Sequence, residues 1–186
     1  MGGFFGCTSK QDCNKELFYG TDYLSHLGTK RGGLATLNKD GFHRTIHSLE
    51  NAYFRSKFES DIENLPGNMG VGVISDTDSQ PIIIHSHLGK VAVVTIGKIA
   101  NLDELTQEAF SQNVHFAETS QGDINPTELV SILINQKDSF KEGILNAQTK
   151  IKGSCSMMVL TDSGIFVARD RLGRTPVIIG KRDNAF

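Results

Sequence analysis

The sequence predicts an α+β protein in which two mainly antiparallel sheets are sandwiched between helix layers. Three observations carry that prediction. Turn signals at Lys39-Asp40-Gly41 and Asp162-Ser163-Gly164 join pairs of strand-like segments, and tight hairpins impose antiparallel pairing. Met69 to Ile74 and Val91 to Ile96 are unbroken β-rich apolar runs, the pattern of strands covered on both faces. The helical periodicity is gathered mostly into the middle of the chain, whereas a doubly wound parallel sheet needs helices alternating with strands.

Taken in order, Gly3 to Thr8 forms the first strand. A helix follows from about Gln11 to Leu27, because Leu17, Phe18, Tyr23, Leu24 and Leu27 recur at helical spacing, with Gly28 as its C′ residue. Gly32 to Asn38 and Phe42 to Leu49 flank the Asp-Gly turn. Asn51 to Leu65 reads as a helix ended by Pro66-Gly67. After the Met69 strand, Ile82 to Ile84 adds a short strand, and Leu88-Gly89-Lys90 turns into the Val91 strand. Leu102 to Gln112 is an amphipathic helix. Asn125-Pro126-Thr127-Glu128 marks a helix start, with Asn as N-cap, Pro at N1 and Glu at N3 reaching back. Ser139-Phe140-Lys141-Glu142 is a second capping box, for a helix closing near Lys152-Gly153. Ser154 to Thr161 and Gly164 to Arg169 form the last hairpin, and Val177 to Gly180 a final strand.

The 186 residues suit one domain with a sizeable core. A net charge of −2 gives no electrostatic case for nucleic acid or an anionic membrane. No apolar run has membrane-spanning length, and the start lacks the basic region of a signal peptide. Cys7, Cys13 and Cys155 are odd in number and lack zinc-type spacing, which points to a reduced, cytoplasmic setting. The chain stops on Phe186 with no tapering tail, so a domain excised from a longer protein is expected.

The start, Met1-Gly2-Gly3-Phe4-Phe5-Gly6, runs an apolar strand straight off the terminus. Chain ends otherwise fray, and one use of an ordered terminus is catalytic, with the free amine as base for its own side chain. Further on come His26-Leu27-Gly28-Thr29-Lys30-Arg31-Gly32-Gly33, Gly67-Asn68-Met69-Gly70-Val71-Gly72, Gly97-Lys98-Ile99-Ala100-Asn101-Leu102 and Ala168-Arg169-Asp170-Arg171-Leu172-Gly173-Arg174-Thr175-Pro176-Val177. In order and spacing these segments resemble the glutaminase domain of amidophosphoribosyltransferase, a class II glutamine amidotransferase of the Ntn-hydrolase fold, over essentially the whole chain. The resemblance implies a four-layer αββα sandwich and a role by family in purine nucleotide biosynthesis. It implies a C-terminal phosphoribosyltransferase domain as partner, absent before Phe186. It brings no cofactor and no metal, and leaves a homo-oligomer open.

The family hydrolyses glutamine with an N-terminal Cys whose own amine is the base, and passes the ammonia to the second domain. The resemblance places the nucleophile directly after Met1, where this chain has Gly2. An Arg that holds the substrate α-carboxylate falls at Ser75, within Gly70-Val71-Gly72-Val73-Ile74-Ser75-Asp76-Thr77-Asp78. The Asn-Gly pair of the oxyanion hole reads Ile96-Gly97, and an acidic residue for the α-amine is replaced by Pro126. Losing a covalent nucleophile removes on the order of 10⁶ in rate. A lost side-chain oxyanion donor costs roughly 10²–10³ with the rest intact. An unpaired buried carboxylate costs about 2–5 kcal/mol. Asp76 and Asp78 add negative charge beside the pocket, and Gly97 alone keeps a matched functional identity. The expectation is a domain silent toward glutamine, acting as scaffold or regulatory module.

Two other readings stay open. One is an amidohydrolase with a non-standard nucleophile and altered substrate. Against it, Cys7 lies about 16 Å along the strand from position 2, and Cys13 reads as a buried thiol in a first helical turn. The other is a non-catalytic pocket for an amine or cation, with Asp76 and Asp78 as its acids. His85 and His87 share one strand face as metal ligands sometimes do, but more often mark a solvated strand end. Lys30-Arg31 reads as a solvated basic pair, and Arg169, Asp170 and Arg174 as a structural ion-pair cluster.

Overall fold

The computed structural model describes residues 2–120 and 122–186. Its elements run β1 (Gly2–Thr8), α1 (Asn14–Tyr23), β2 (Arg31–Asn38), β3 (Gly41–Ser48), α2 (Phe54–Phe58), β4 (Met69–Ser75), β5 (Ile82–Ser86), β6 (Gly89–Ile99), α3 (Leu102–Ser111), β7 (Thr119–Ser120), β8 (Asp123–Ile124), α4 (Pro126–Ile134), α5 (Phe140–Lys150), β9 (Gly153–Thr161) and β10 (Gly164–Ala168). Among the described residues the strands form two four-stranded sheets, ordered β1-β4-β2-β3 and β10-β9-β6-β5, plus the β7–β8 pair. Every pairing in the two large sheets is antiparallel.

Period-two alternation builds the layers. Ala35, Val71, Val73, Ala92, Val94 and Leu160 point between the sheets and form the middle core. The alternate residues Val91, Val93, Met157 and Val159 face outward and pack under Leu129, Val130 and Leu133 of α4. On the other side Leu34 and Ile74 meet Leu17 and Phe18 of α1 and Phe54 and Phe58 of α2. Three apolar interfaces between four layers give the αββα sandwich. The unbroken apolar runs of β4 and β6 follow, since each is covered on both faces. No helix among the described residues is long and apolar enough to cross a membrane.

Several local expectations are corrected. The first helix is shorter than 11–27: its α-helical part is Asn14–Tyr23, with a 3₁₀ turn at Ser25–Leu27. Gly28 is extended (φ −163°) and caps nothing with a left-handed turn. A Cβ there would lie 2.9 Å from Ile74 Cγ2, so close approach to β4 accounts for the glycine. The 51–65 helix breaks into the five residues of α2, which bury Phe54 and Phe58, and a 3₁₀ stretch, Glu59–Asn64, that buries none of its own residues fully before Leu65 re-enters the core. The 177–180 segment is no strand: nothing described pairs with it, and Ile178 and Ile179 are 90% and 77% exposed. β-propensity without a partner edge does not make a strand.

Candidate functional site

The loop from Ser75 to Gln80 leaves β4 and passes beneath the N-terminus of α4, where a buried polar network holds it. Asp78 is 2% exposed. Its Oδ1 accepts from Ser75 Oγ at 3.1 Å, Thr77 Oγ1 at 2.5 Å and Gln80 Nε2 at 3.3 Å. Its Oδ2 accepts from Thr127 Oγ1 at 2.6 Å. With that proton committed, Thr127 accepts from Thr95 Oγ1 at 2.6 Å. Gln80 completes the circuit: it accepts from Thr95 N at 2.7 Å and donates to Thr95 O at 2.9 Å. A carboxylate under the first turn of α4 also suits the positive end of the helix dipole. Asn125 caps that helix, accepting from Thr127 N and Glu128 N while donating to Ser79 O.

A cavity of about 380 Å³ opens beside this network. Ser75, Asp78, Ile96, Gly97 and Pro126 all line it, so five of the positions singled out in the sequence meet there. Gly97 is required twice over: its φ is +132°, and a Cβ would stand 2.1 Å from Ser154 O. Gly2 does not line this cavity. It sits opposite Ser75 at the start of β1, facing a neighbouring groove that shares Ile96 with the cavity. A Cβ on Gly2 would lie 2.3 Å from the Ile74 carbonyl oxygen. Asp76 also lies outside the cavity and turns toward the 28–30 loop, accepting from Thr29 N at 2.8 Å. Burial alone would raise its carboxyl, but the Thr29 amide, and to a smaller extent that of Lys30, help to hold it below its usual value.

Thr95, Thr127 and Gln80 escape sequence reasoning, although a threonine inside the apolar 91–96 run is the one visible signal. Cys155 also lines the cavity. Burial, with Asp78 and Asp170 nearby, pushes its thiol up to about 12, which keeps it protonated at neutral pH. Cys7 is likewise raised, by its hydrogen bond with Cys13 and by burial. Cys13 is the fully buried N-cap residue of α1, just outside the first turn.

Other candidates resolve into local structure. Glu128 does not reach back to its own N-cap; its two oxygens accept from Ala117 N and Glu118 N, tying the 112–118 loop to α4. Asp170 makes no ion pair among the described residues. It accepts from Leu172 N and Thr175 N instead, which shapes the turn after β10. His87 lies past the end of β5 with Nε2 2.9 Å from Lys137 O, while His85 is an exposed residue within β5.

Two antiparallel sheets between helix layers, with the chain's first strand at the edge beside this cavity, define the Ntn-hydrolase class of fold. Superposition agrees. The glutamine phosphoribosylpyrophosphate amidotransferase of B. subtilis, solved with ADP and GMP, matches with a TM-score of 0.85 at 22% identity, covering 100% of this chain and 40% of that one. A class-II glutamine aminotransferase domain protein from Silicibacter pomeroyi matches with a TM-score of 0.54 at 9% identity, covering 91% of this chain and 76% of that one. Residues 68–186 match the glutamine amidotransferase domain family, and the chain belongs to it. Among curated relatives, the amidophosphoribosyltransferase of Methanocaldococcus jannaschii is 28% identical over 99% of this chain and 41% of its own length. That of Bacillus subtilis is 24% identical over 99% and 40%. The chain thus spans about two-fifths of the length of these relatives.

Proposed function

We propose that this domain does not hydrolyse glutamine and serves as a scaffold or regulatory module of an amidophosphoribosyltransferase-like protein, acting in purine nucleotide biosynthesis alongside a phosphoribosyltransferase part. The observation that carries the reading is position 2. Gly2 has no side chain to react, and the Ile74 carbonyl occupies the space where a Cβ would begin. The thiol that lines the cavity, Cys155, is a poor substitute for it, because it is buried and held protonated. Ser75 offers no cation for a substrate carboxylate, and Ile96 offers no oxyanion donor. The amine-binding alternative is weakened because Asp78 already accepts from four neighbours. Incubating the purified chain with glutamine and following ammonia and glutamate tests the proposal. Background rates are expected, and steady turnover that survives rigorous repurification would overturn it.

A further inference from the structure

Two thiols outside the cavity, Cys7 and Cys13, have no part in the function proposed above. Both belong to the core between the first sheet and the helices α1 and α2, and both line the groove of about 780 Å³ beside β1. Cys7 is the last residue but one of β1, and Cys13 is the N-cap residue of α1. The turn between them brings the chain back on itself, and residues 67–70 hold both of its ends. Cys7 stands opposite Gly70 in the β1–β4 register, and Cys13 N donates to Gly67 O at 2.7 Å. Within the turn, Ser9 N donates to Asn68 O at 2.7 Å, and Asp12 Oδ2 accepts from Gly67 N at 2.8 Å. Bonds that do not involve sulfur therefore fix the two cysteines side by side.

In that frame the sulfurs meet. Cys7 Sγ lies 3.7 Å from Cys13 O, and the two thiols are hydrogen-bonded to each other. Packing asks only for small apolar groups at these positions. Two thiols in contact add a chemistry that packing does not require, because each sulfur has the other within reach when it is oxidised. Cys155 is excluded from the pair, since it lies under α4 in the core on the far face of the other sheet.

We propose that Cys7 and Cys13 are a redox-active dithiol, which hydrogen peroxide closes to an intramolecular disulfide. One sulfur, as thiolate, attacks a peroxide oxygen. The O–O bond breaks, the departing oxygen leaves as water, and a sulfenic acid remains. The second sulfur then attacks the first; the S–S bond forms, the S–O bond breaks, and a second water leaves. Two thiols lose two electrons and two protons, and one peroxide becomes two waters. The new bond ties the end of β1 to the start of α1, and a thiol reductant reopens it. The hydrogen bond with Cys13 and burial push the Cys7 thiol up, with nearby Glu16 adding to the effect and Arg182 opposing it. Because the thiolate is the reacting form, closure quickens as pH rises. None of this depends on whether the domain hydrolyses glutamine.

The test treats the fully reduced chain with hydrogen peroxide in mildly alkaline buffer and follows intact mass, tryptic peptides and thermal unfolding. The monomer should lose the mass of two hydrogens. Cleavage after Lys10 and Lys15 should then release residues 1–10 and 11–15 as one linked peptide, which dithiothreitol separates. Closing the short loop between Cys7 and Cys13 should raise Tm by about 5–10 °C, because the unfolded chain loses freedom. Recovery of Cys7 and Cys13 unlinked, as thiols or as sulfinic acids, would overturn the proposal. So would a bond to Cys155 or between chains. A lower Tm in the linked protein would also overturn it, by showing that the fold does not accept the bond.

Discussion

Replacing Gly2 with Cys places a nucleophile where the family resemblance requires one, and the structure resists it. The added Cβ would start 2.3 Å from the Ile74 carbonyl oxygen, so strand or carbonyl must move about 0.7 Å to reach the 3.0 Å below which real Cβ contacts essentially do not occur. The carbonyl has little room to retreat, because β4 is paired with β1 on one side and β2 on the other, and Ile74 is fully buried. Overpacking of this kind costs about 1–3 kcal/mol. For a chain of this size that corresponds to a fall in Tm of roughly 2–12 °C, read by thermal unfolding. Gly180→Ala is the control, since nothing stands within 4 Å of that Cβ, and it should leave Tm unchanged. On the proposed reading, ammonia release by Gly2→Cys should stay at background, because Ser75 and Ile96 still stand where the resemblance expects the carboxylate and oxyanion partners. A Gly2→Cys protein with unaltered Tm, or one that turns over glutamine, would refute the reasoning.

Three further predictions concern the frame around the cavity. Thr127→Val keeps the shape but removes the hydroxyl joining Asp78 to Thr95, and should cost about 1–3 kcal/mol in urea unfolding. Asn125→Ala loses the cap on Thr127 and Glu128 and the bond to Ser79, with an expected loss of about 1–2 kcal/mol by the same measurement. Asp170 governs part of the acid response. Burial would raise its carboxyl, but the Thr175, Arg174 and Leu172 amides bring it below the ordinary 3.8. Its folded pKa is therefore depressed, so its contribution is complete above 3.8 and lost as pH falls through the lower folded value. Asp170→Asn should flatten the acid limb of a stability-against-pH curve, and an unchanged limb would count against this account.

The fold was legible where local chemistry and packing agree. Asp40-Gly41 needs a left-handed glycine and Gly41 has φ +121°, so the β2–β3 hairpin could be read from two residues. Asn125-Pro126 and Ser139 are caps whose hydrogen bonds lie within three residues, and both helices start where the sequence places them. Legibility failed where the partner is distant in the chain. Glu128 has the spacing of a capping box, yet its oxygens find the Ala117 and Glu118 amides, which local spacing does not reveal. Ile178 and Ile179 have strand-forming side chains, and only the sheet edges show that they have no partner.

The candidate site divides in the same way. The residue types by themselves determined only that Gly2, Ser75, Ile96 and Pro126 carry no side-chain nucleophile, cation, hydrogen-bond donor and acid respectively, because a side chain's chemistry does not depend on where it folds; the resemblance is what expects those groups there. Tertiary structure alone decided that Ser75, Asp78, Ile96, Gly97 and Pro126 share one cavity while Gly2 and Asp76 stand outside it. It also decided that Asp78 is bound into a hydroxyl network, and that position 2 has no room for a Cβ. Those facts rest on contacts between segments separated by tens of residues, set by the register of β1 on β4 and by the seating of α4 over the 75–80 loop.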